Sequence, residues 1–429
     1  FPTRRSSDLV AEVLIRLDGT VHHWLRFKKQ LLLDALSAGF SFVTPGTSTT
    51  EQWKATEDQA FMTHHNVTVE KNGKPSLRRI EARYNHAKYL LGVSAVIRLL
   101  DTAYDLTDIP TLEQLGYGKS VREMLTLAML RKWGLIIFVG STGQGKSTTI
   151  RTIFTYLPDA ATQIVYTAEE PAEYPYQHAI QISIPSKADD STESRARKQT
   201  AVVRNFLRMD PDRGMVGEIR DAETAKMAIE FVQTGHPGAT TLHGDSTIDG
   251  LSRLTGDSLK VPAQDLGNAK LLNTVVYQVL VSKLCETCKL PATDSKYGLT
   301  KAKKAVIREK FQLDPDKLFV ANPNGCEHCR PRGIGLKGNG TKGRVAAVEI
   351  FMPDFKAKAM IAKRDWSAVT RYWRSQRVSR FDVDDARGKT ALENGLFLVS
   401  QGIVSPLSLE AEVEPFELYE VQRVEADGV

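Results

Sequence analysis

Apolar residues recur along this chain in two different rhythms. From Val10 to about Pro110, short helical stretches such as Trp24–Leu36 mix with strand-like pieces at Ser76–Tyr84 and Val93–Leu100. Lys71–Pro75 (KNGKP) supplies a turn before the first of these strands. The expectation is an α+β domain over residues 10–112, with Leu106–Gly118 as the linker that follows. From Val121 the order becomes helix, strand, glycine-rich loop, helix, strand, which marks an α/β core around a parallel sheet. Its buried strands are predicted at Leu135–Val139, Gln163–Thr167, Met215–Val216 and Ala239–Leu242. That core is expected over residues 119–284. Asp354 to the end reads as helices, with a helix-turn at Gly388–Gly402. No apolar run approaches the roughly 18 residues of a membrane span, so any membrane contact is expected to be peripheral.

Length and composition narrow the picture further. At 429 residues, a prior of roughly 150 residues per domain gives two or three domains. Hydrophobic residues at 41% and charged residues at 25% exclude general disorder and a fibrous class. The net charge of +6 is too small for a dedicated nucleic-acid binder. The first nine residues, Phe1–Leu9 (FPTRRSSDL), read as translated adaptor sequence and are set aside from the fold.

Four segments carry candidate chemistry. The first is Gly140, Ser141, Thr142, Gly143, Gln144, Gly145, Lys146, Ser147 and Thr148, a G-x-x-x-x-G-K-S loop after an apolar strand and before a predicted helix. Backbone N–H groups of such a loop cradle phosphate, so nucleotide binding is expected, with Lys146 reaching the β- and γ-phosphates and the Ser147 hydroxyl able to ligate Mg²⁺. The second runs from Asp210 to Asp221 (DPDRGMVGEIRD), where an acid ending a strand can hold metal or orient water. The third is Glu169-Glu170-Pro171-Ala172-Glu173, where a general base can stand. The fourth is Thr234–His243 (TGHPGATTLH), with a histidine placed to meet the γ-phosphate. Singly, each of the last three is equally a helix cap, a salt bridge or a core histidine. Together and in this order after a phosphate loop, they reinforce one another.

The four cysteines form two Cys-x-x-Cys pairs, Cys285/Cys288 and Cys326/Cys329, with 37 residues between them. Four thiols in so long a chain are no disulfide framework, and paired knuckles are the pattern of a structural Zn²⁺ site in a reducing compartment. A zinc-binding subdomain is therefore expected over 285–346, before a helical region over 347–429. Between the knuckles lies a lysine-rich stretch, with Lys296, Lys301, Lys303, Lys304 and Lys310. It is read as a solvated face, with anionic lipid or nucleic acid as the other option.

Taken jointly, GSTGQGKS, AEEPAEY, DPDRGMVGEIRD and TGHPGATTLHGDS resemble the Walker A, Asp-box, Walker B and His-box motifs of the type II secretion and type IV pilus assembly ATPases. The resemblance covers roughly Ile80 to Val404. It implies a RecA-like P-loop core preceded by a PAS-like α+β domain. It also implies ATP hydrolysis with Mg²⁺, and Zn²⁺ at the four cysteines. By the same resemblance the catalytic glutamate falls on Glu169, the Walker B glutamate on Glu218 and the phosphate-contacting histidine on His243, with His236 its companion. The family's arginine fingers fall on Arg98, within VIRLLD, and Arg83, within EARYNH. Two departures stand out: Glu170 replaces the usual aspartate, and Arg213-Gly214 replace apolar residues, which questions the packing of that strand. The implied machine is a homo-hexamer at the cytoplasmic face of the inner membrane that drives a platform protein to assemble a pilus or pseudopilus. A retraction or conjugation ATPase, a DNA-translocating motor and a non-enzymatic scaffold are the alternatives, and nothing strongly suggests nucleic acid.

Overall fold

The computed structural model describes residues 10–45, 48–71, 74–89, 92–101, 109–170, 172–184, 192–331 and 335–422. The expected adaptor stretch, the turn residues 72–73 and residues 102–108, which include the first three of the expected linker, lie outside these. Packing divides the chain into two compact units. The smaller contains residues 1–108 with 170–175 and 183–198, and the larger contains the rest.

In the smaller unit, β1 (Val10–Leu17) and β2 (Thr20–Lys28) form an antiparallel hairpin across Asp18-Gly19. Both turn residues take positive φ, 46° and 85°, as a two-residue turn between twisted strands requires. The helix expected from Trp24 begins only with α1 (Lys29–Phe40). Trp24–Lys28 is strand, because Leu25–Lys28 pair with Val10–Val13 of β1 and His22–His23 continue the pairing beyond a bulge at Trp24. A second sheet is antiparallel, in the order β3 (Gln59–Lys71), β4 (Lys74–Tyr89), β5 (Gly92–Asp101). Phe40 of α1 meets Phe61 edge-on at 5.0 Å, and Phe61 stacks on Tyr84 at 4.4 Å, which joins helix to sheet.

The larger unit opens with α2 (Lys119–Leu130), β6 (Leu135–Val139), α3 (Lys146–Thr155) and β7 (Val165–Glu169). Next come β8 (Ala179–Ser183), α4 (Thr192–Phe206), β9 (Arg213–Ile219), α5 (Ala222–Gln233), β10 (Gly238–Leu242), α6 (Thr247–Leu254) and α7 (Ala263–Leu266). β8 and α4 lie partly in each unit. Then follow β11 (Leu272–Leu284), β12 (Leu290–Pro291), α8 (Lys301–Phe311), β13 (Phe319–Val320) and β14 (Thr341–Phe351). The helices α9 (Phe355–Ala362), α10 (Trp366–Ser375), α11 (Ala391–Ser400) and α12 (Pro406–Glu412) complete it.

Seven strands form one mixed sheet in the order β14-β11-β6-β10-β9-β7-β8. Strands β11, β6, β10, β9 and β7 are parallel neighbours, and β14 runs antiparallel to β11. Every residue of β6 and β10 is buried, as strands covered on both faces must be. The strand questioned at Arg213-Gly214 packs well. Arg213 Nε donates to Gln163 Oε1 at 2.7 Å, and Gly214 leaves room for the Phe231 ring, whose Cζ lies 2.4 Å from where a Cβ would sit.

The segments expected as a zinc subdomain and a helical C-terminal region share one hydrophobic cluster, in which Ile307, Phe311 and Leu318 meet Leu396, Leu409 and Phe416. Most of the lysine-rich stretch forms α8, and Lys303, Lys304 and Lys310 are engaged within the chain. Lys303 Nζ pairs with Glu410 at 2.7 Å and Glu417 at 2.6 Å, while Lys310 Nζ donates to the carbonyls of Phe416, Glu417 and Tyr419. Among the described residues, no helix is long and apolar enough to cross a membrane.

Candidate functional site

The glycine-rich loop joins the C-terminal end of β6 to α3. Gly140 has φ of +148°, and a Cβ there would stand 2.8 Å from Gln278 O, so both conformation and space require glycine. Lys146 is buried at the first position of α3. Its Nζ donates to Gly140 O at 2.5 Å and Ser141 O at 2.9 Å, which holds the ammonium over the loop. Burial lowers its pKa, and the charge of Glu218 opposes that shift. Ser141, Thr142 and Gly143 are exposed, whereas Gln144, Gly145, Ser147 and Thr148 are half-buried.

Glu218 and His243 come from adjacent parallel strands. The pairing of β9 with β10 skips one residue: Thr240 faces Val216 and Thr241 faces Glu218, which leaves Gly217 as a bulge. The missing Cβ of Gly217 allows this, since an added one would lie 2.8 Å from Ala168 O on β7. Beyond the bulge, Glu218 Oε1 lies 2.8 Å from His243 Nε2, and Glu218 Oε2 lies 2.6 Å from Arg220 Nη2. His243 Nε2 also lies 3.5 Å from Thr142 Oγ1 in the loop, and Arg253 Nη1 braces the His243 carbonyl at 2.9 Å. The phosphate loop, Glu218 and His243 therefore converge.

Glu169 ends β7, the strand beside β9, and is buried. Its Oε1 accepts from Thr167 Oγ1 at 2.6 Å and Gln181 Nε2 at 2.9 Å. His236 stands apart from this group. It precedes β10 while His243 follows it, so Pro237 and the whole five-residue strand, itself about 17 Å long, lie between the pair; His236 packs at 5.4 Å on Phe231 instead.

In the smaller unit, the two candidate arginines face each other across β4 and β5, with Arg83 and Arg98 as register partners. Arg83 Nε donates to Glu81 Oε1 at 2.6 Å, and its Nη1 lies 3.6 Å from Glu173 Oε1. Arg98 is exposed on the edge strand.

All four cysteines are free thiols, and their sulfurs lie within 4.8 Å of one another. Cys285 to Cys326 measures 3.7 Å, and both Cys288 to Cys329 and Cys326 to Cys329 measure 3.9 Å. A metal about 2.3 Å from four tetrahedral sulfurs sets separations of about 3.8 Å. The cluster fits that geometry, and it is too open for disulfides. The Cys329 backbone holds the Cys326 thiol down at about 7, while burial and the neighbouring sulfurs push Cys288 up.

Comparison with known proteins decides the family. The family model described as type II/IV secretion system protein matches residues 69–401, more than three quarters of the chain. The chain belongs to this family. Among its relatives, the type IV pilus assembly ATPase PilB of Pseudomonas aeruginosa is 34% identical over 275 residues, covering 64% of this chain and 43% of that protein. The type II secretion system protein E of Pectobacterium carotovorum is 32% identical over 306 residues, covering 69% of this chain and 54% of that protein. The chain thus spans about half the length of these relatives. In fold it is similar to the Legionella pneumophila ATPase DotB, with a TM-score of 0.57 at 19% identity, covering 94% of this chain and 90% of that one.

In this member of the type II/IV secretion family, sequence reasoning missed the residues beneath the phosphate loop. Gln278, buried in β11, donates through Nε2 to Gln144 O at 2.5 Å, and its Oε1 lies 3.2 Å from Tyr117 Oη and 3.1 Å from Thr149 Oγ1. A glutamine within NTVVYQVLVS is the one available signal, because a fully buried amide must find partners. Nothing local marks Tyr117.

Proposed function

We propose that this chain is the ATP-hydrolysing part of a motor that powers assembly of a type IV pilus or a type II secretion pseudopilus. One observation carries the reading: a phosphate loop with Lys146 at its mouth, beside a Glu218–His243 pair on the neighbouring strand ends. In this reading the loop N–H groups of Gly140–Ser147 and the Lys146 ammonium bind the β- and γ-phosphates of ATP. Ser147 would hold Mg²⁺, which neutralises phosphate charge when bound. Glu169 takes the proton of the attacking water, Glu218 orients the reacting group, and His243 reports on the γ-phosphate through its bond to Glu218. Arg98 and Arg83 supply charge to the transition state.

The larger unit is read as a RecA-like core and the smaller as PAS-like. Cys285, Cys288, Cys326 and Cys329 would hold a structural Zn²⁺. The working assembly is a homo-hexamer at the cytoplasmic face of the inner membrane, acting on a platform protein there. The assembly and secretion names of the relatives support this over retraction or conjugation. The internal engagement of Lys303 and Lys310 weighs against a DNA-translocating motor. Phosphate release from ATP by the purified chain tests the proposal. Turnover that Lys146→Ala abolishes is expected, and turnover unaffected by that change contradicts it.

A further inference from the structure

The segment entering the larger unit is strapped to the helix behind the phosphate loop. Tyr156 Oη donates to Ile109 O at 2.5 Å, Thr152 Oγ1 donates to Pro110 O at 3.0 Å, and Tyr117 Oη meets Thr149 Oγ1 at 2.6 Å. Tyr117 and Thr149 are buried and stand 3.2 and 3.1 Å from Gln278 Oε1. Thr149 Oγ1 also lies 3.2 Å from Gly145 O, so when its hydrogen goes there the Tyr117 hydroxyl is the one left to donate to Gln278 Oε1 or to Thr149. On the other side of the same amide, Nε2 donates to Gln144 O at 2.5 Å. Flipping the amide would set its oxygen against the Gln144 carbonyl, so the carbonyl fixes its orientation. Leu280 N adds a second tie, to Gln144 Oε1 at 2.6 Å.

The consequence follows from peptide geometry. In a planar trans peptide the C=O and N–H point in opposite directions. Pinning Gln144 O to Gln278 therefore aims the Gly145 N–H away from Gln278. Such loop N–H groups are what a phosphate loop offers its ligand.

We propose that Gln278 is a positioning residue for the phosphate loop, and that Tyr117 makes the loop's shape depend on how the 109–117 strap is seated. The proposal rests on reading Gly140–Ser147 as the nucleotide site. A pull on the chain ahead of Ile109 then reaches the loop through one hydroxyl pair and one buried amide, with no contact to nucleotide.

The test is a titration of the full chain with Mg²⁺ and a fluorescent, non-hydrolysable ATP analogue, alongside thermal melting. Gln278→Glu keeps Oε1 for the two hydroxyls but sets an oxygen against the Gln144 carbonyl. It should raise Kd about tenfold, the worth of one lost buried hydrogen bond. Tyr117→Phe should raise Kd about threefold with little change in melting temperature, and the double variant should be no weaker than Gln278→Glu alone, because Tyr117 acts through Gln278. Wild-type affinity in both single variants, or effects that multiply in the double, would overturn the proposal. If Gln278→Glu does not fold, Tyr117→Phe decides alone, and wild-type affinity there overturns it. Lys146→Ala, run in parallel, should lose binding. Retained binding in that control would instead overturn the reading of the loop as a nucleotide site.

Discussion

His243 Nε2 stands 2.8 Å from Glu218 Oε1, and a single unpaired residue makes that contact possible. Side chains alternate along a strand, so regular pairing through Gly217 would turn Glu218 to the opposite face. The bulge restores it to the side where His243 leaves β10. His243→Ala would leave Glu218 with Arg220 as its remaining described cationic partner. Under the proposed function, nucleotide affinity should change little while turnover falls about 10- to 100-fold, the worth of one charge-assisted hydrogen bond. Parallel measurements of analogue binding and phosphate release check this. Equal losses in both would mean that His243 supports binding alone.

Arg83 and Arg98 are cross-strand partners with different surroundings. Arg83 already lies beside Glu81 and Glu173, whereas Arg98 is exposed. Arg98→Ala should lower turnover about 10³-fold, the low end for an arginine finger, with analogue binding retained. Arg83→Ala should have the smaller effect, because its charge is partly neutralised by two carboxylates. Full turnover in both variants would remove the smaller unit from the chemistry.

Much of the core was legible because its signals are local. Leu135–Val139 is apolar throughout and is β6 to the residue, since a strand covered on both faces needs no alternation. Arg83 and Arg98 could be named singly, yet their pairing across β4 and β5 is a register, which no single strand carries. Trp24–Lys28 misled because apolar residues there fit either period, and pairing with β1 decided for strand. The lysine-rich stretch looked solvated because its acceptors lie about a hundred positions later, on Glu410, Glu417 and the carbonyls near Tyr419. Gln278 was hidden for the same reason, as its partners Tyr117, Gln144 and Thr149 are distant in sequence.

The sulfur cluster predicts metal content. Protein purified without chelator should carry about one Zn²⁺ per chain, since two knuckles at these separations close a tetrahedral thiolate site. Cys326→Ser should lower zinc content and melting temperature together, because structural zinc contributes folding energy directly. Elemental analysis read against thermal melting checks both. No zinc in the unmodified protein would contradict the assignment and bring the retraction-type reading forward.

The central claim is that Glu218 acts on nucleotide held by the phosphate loop. Glu218→Gln preserves shape and removes the charge that faces His243 and Arg220. The decisive measurement is phosphate release from ATP by this variant and the unmodified chain at saturating nucleotide, with bound analogue quantified in the same samples. The account predicts retained binding and turnover reduced by about 10²-fold, the cost of losing a group that orients the reactants. Turnover equal to the unmodified chain, at equal binding, would contradict it.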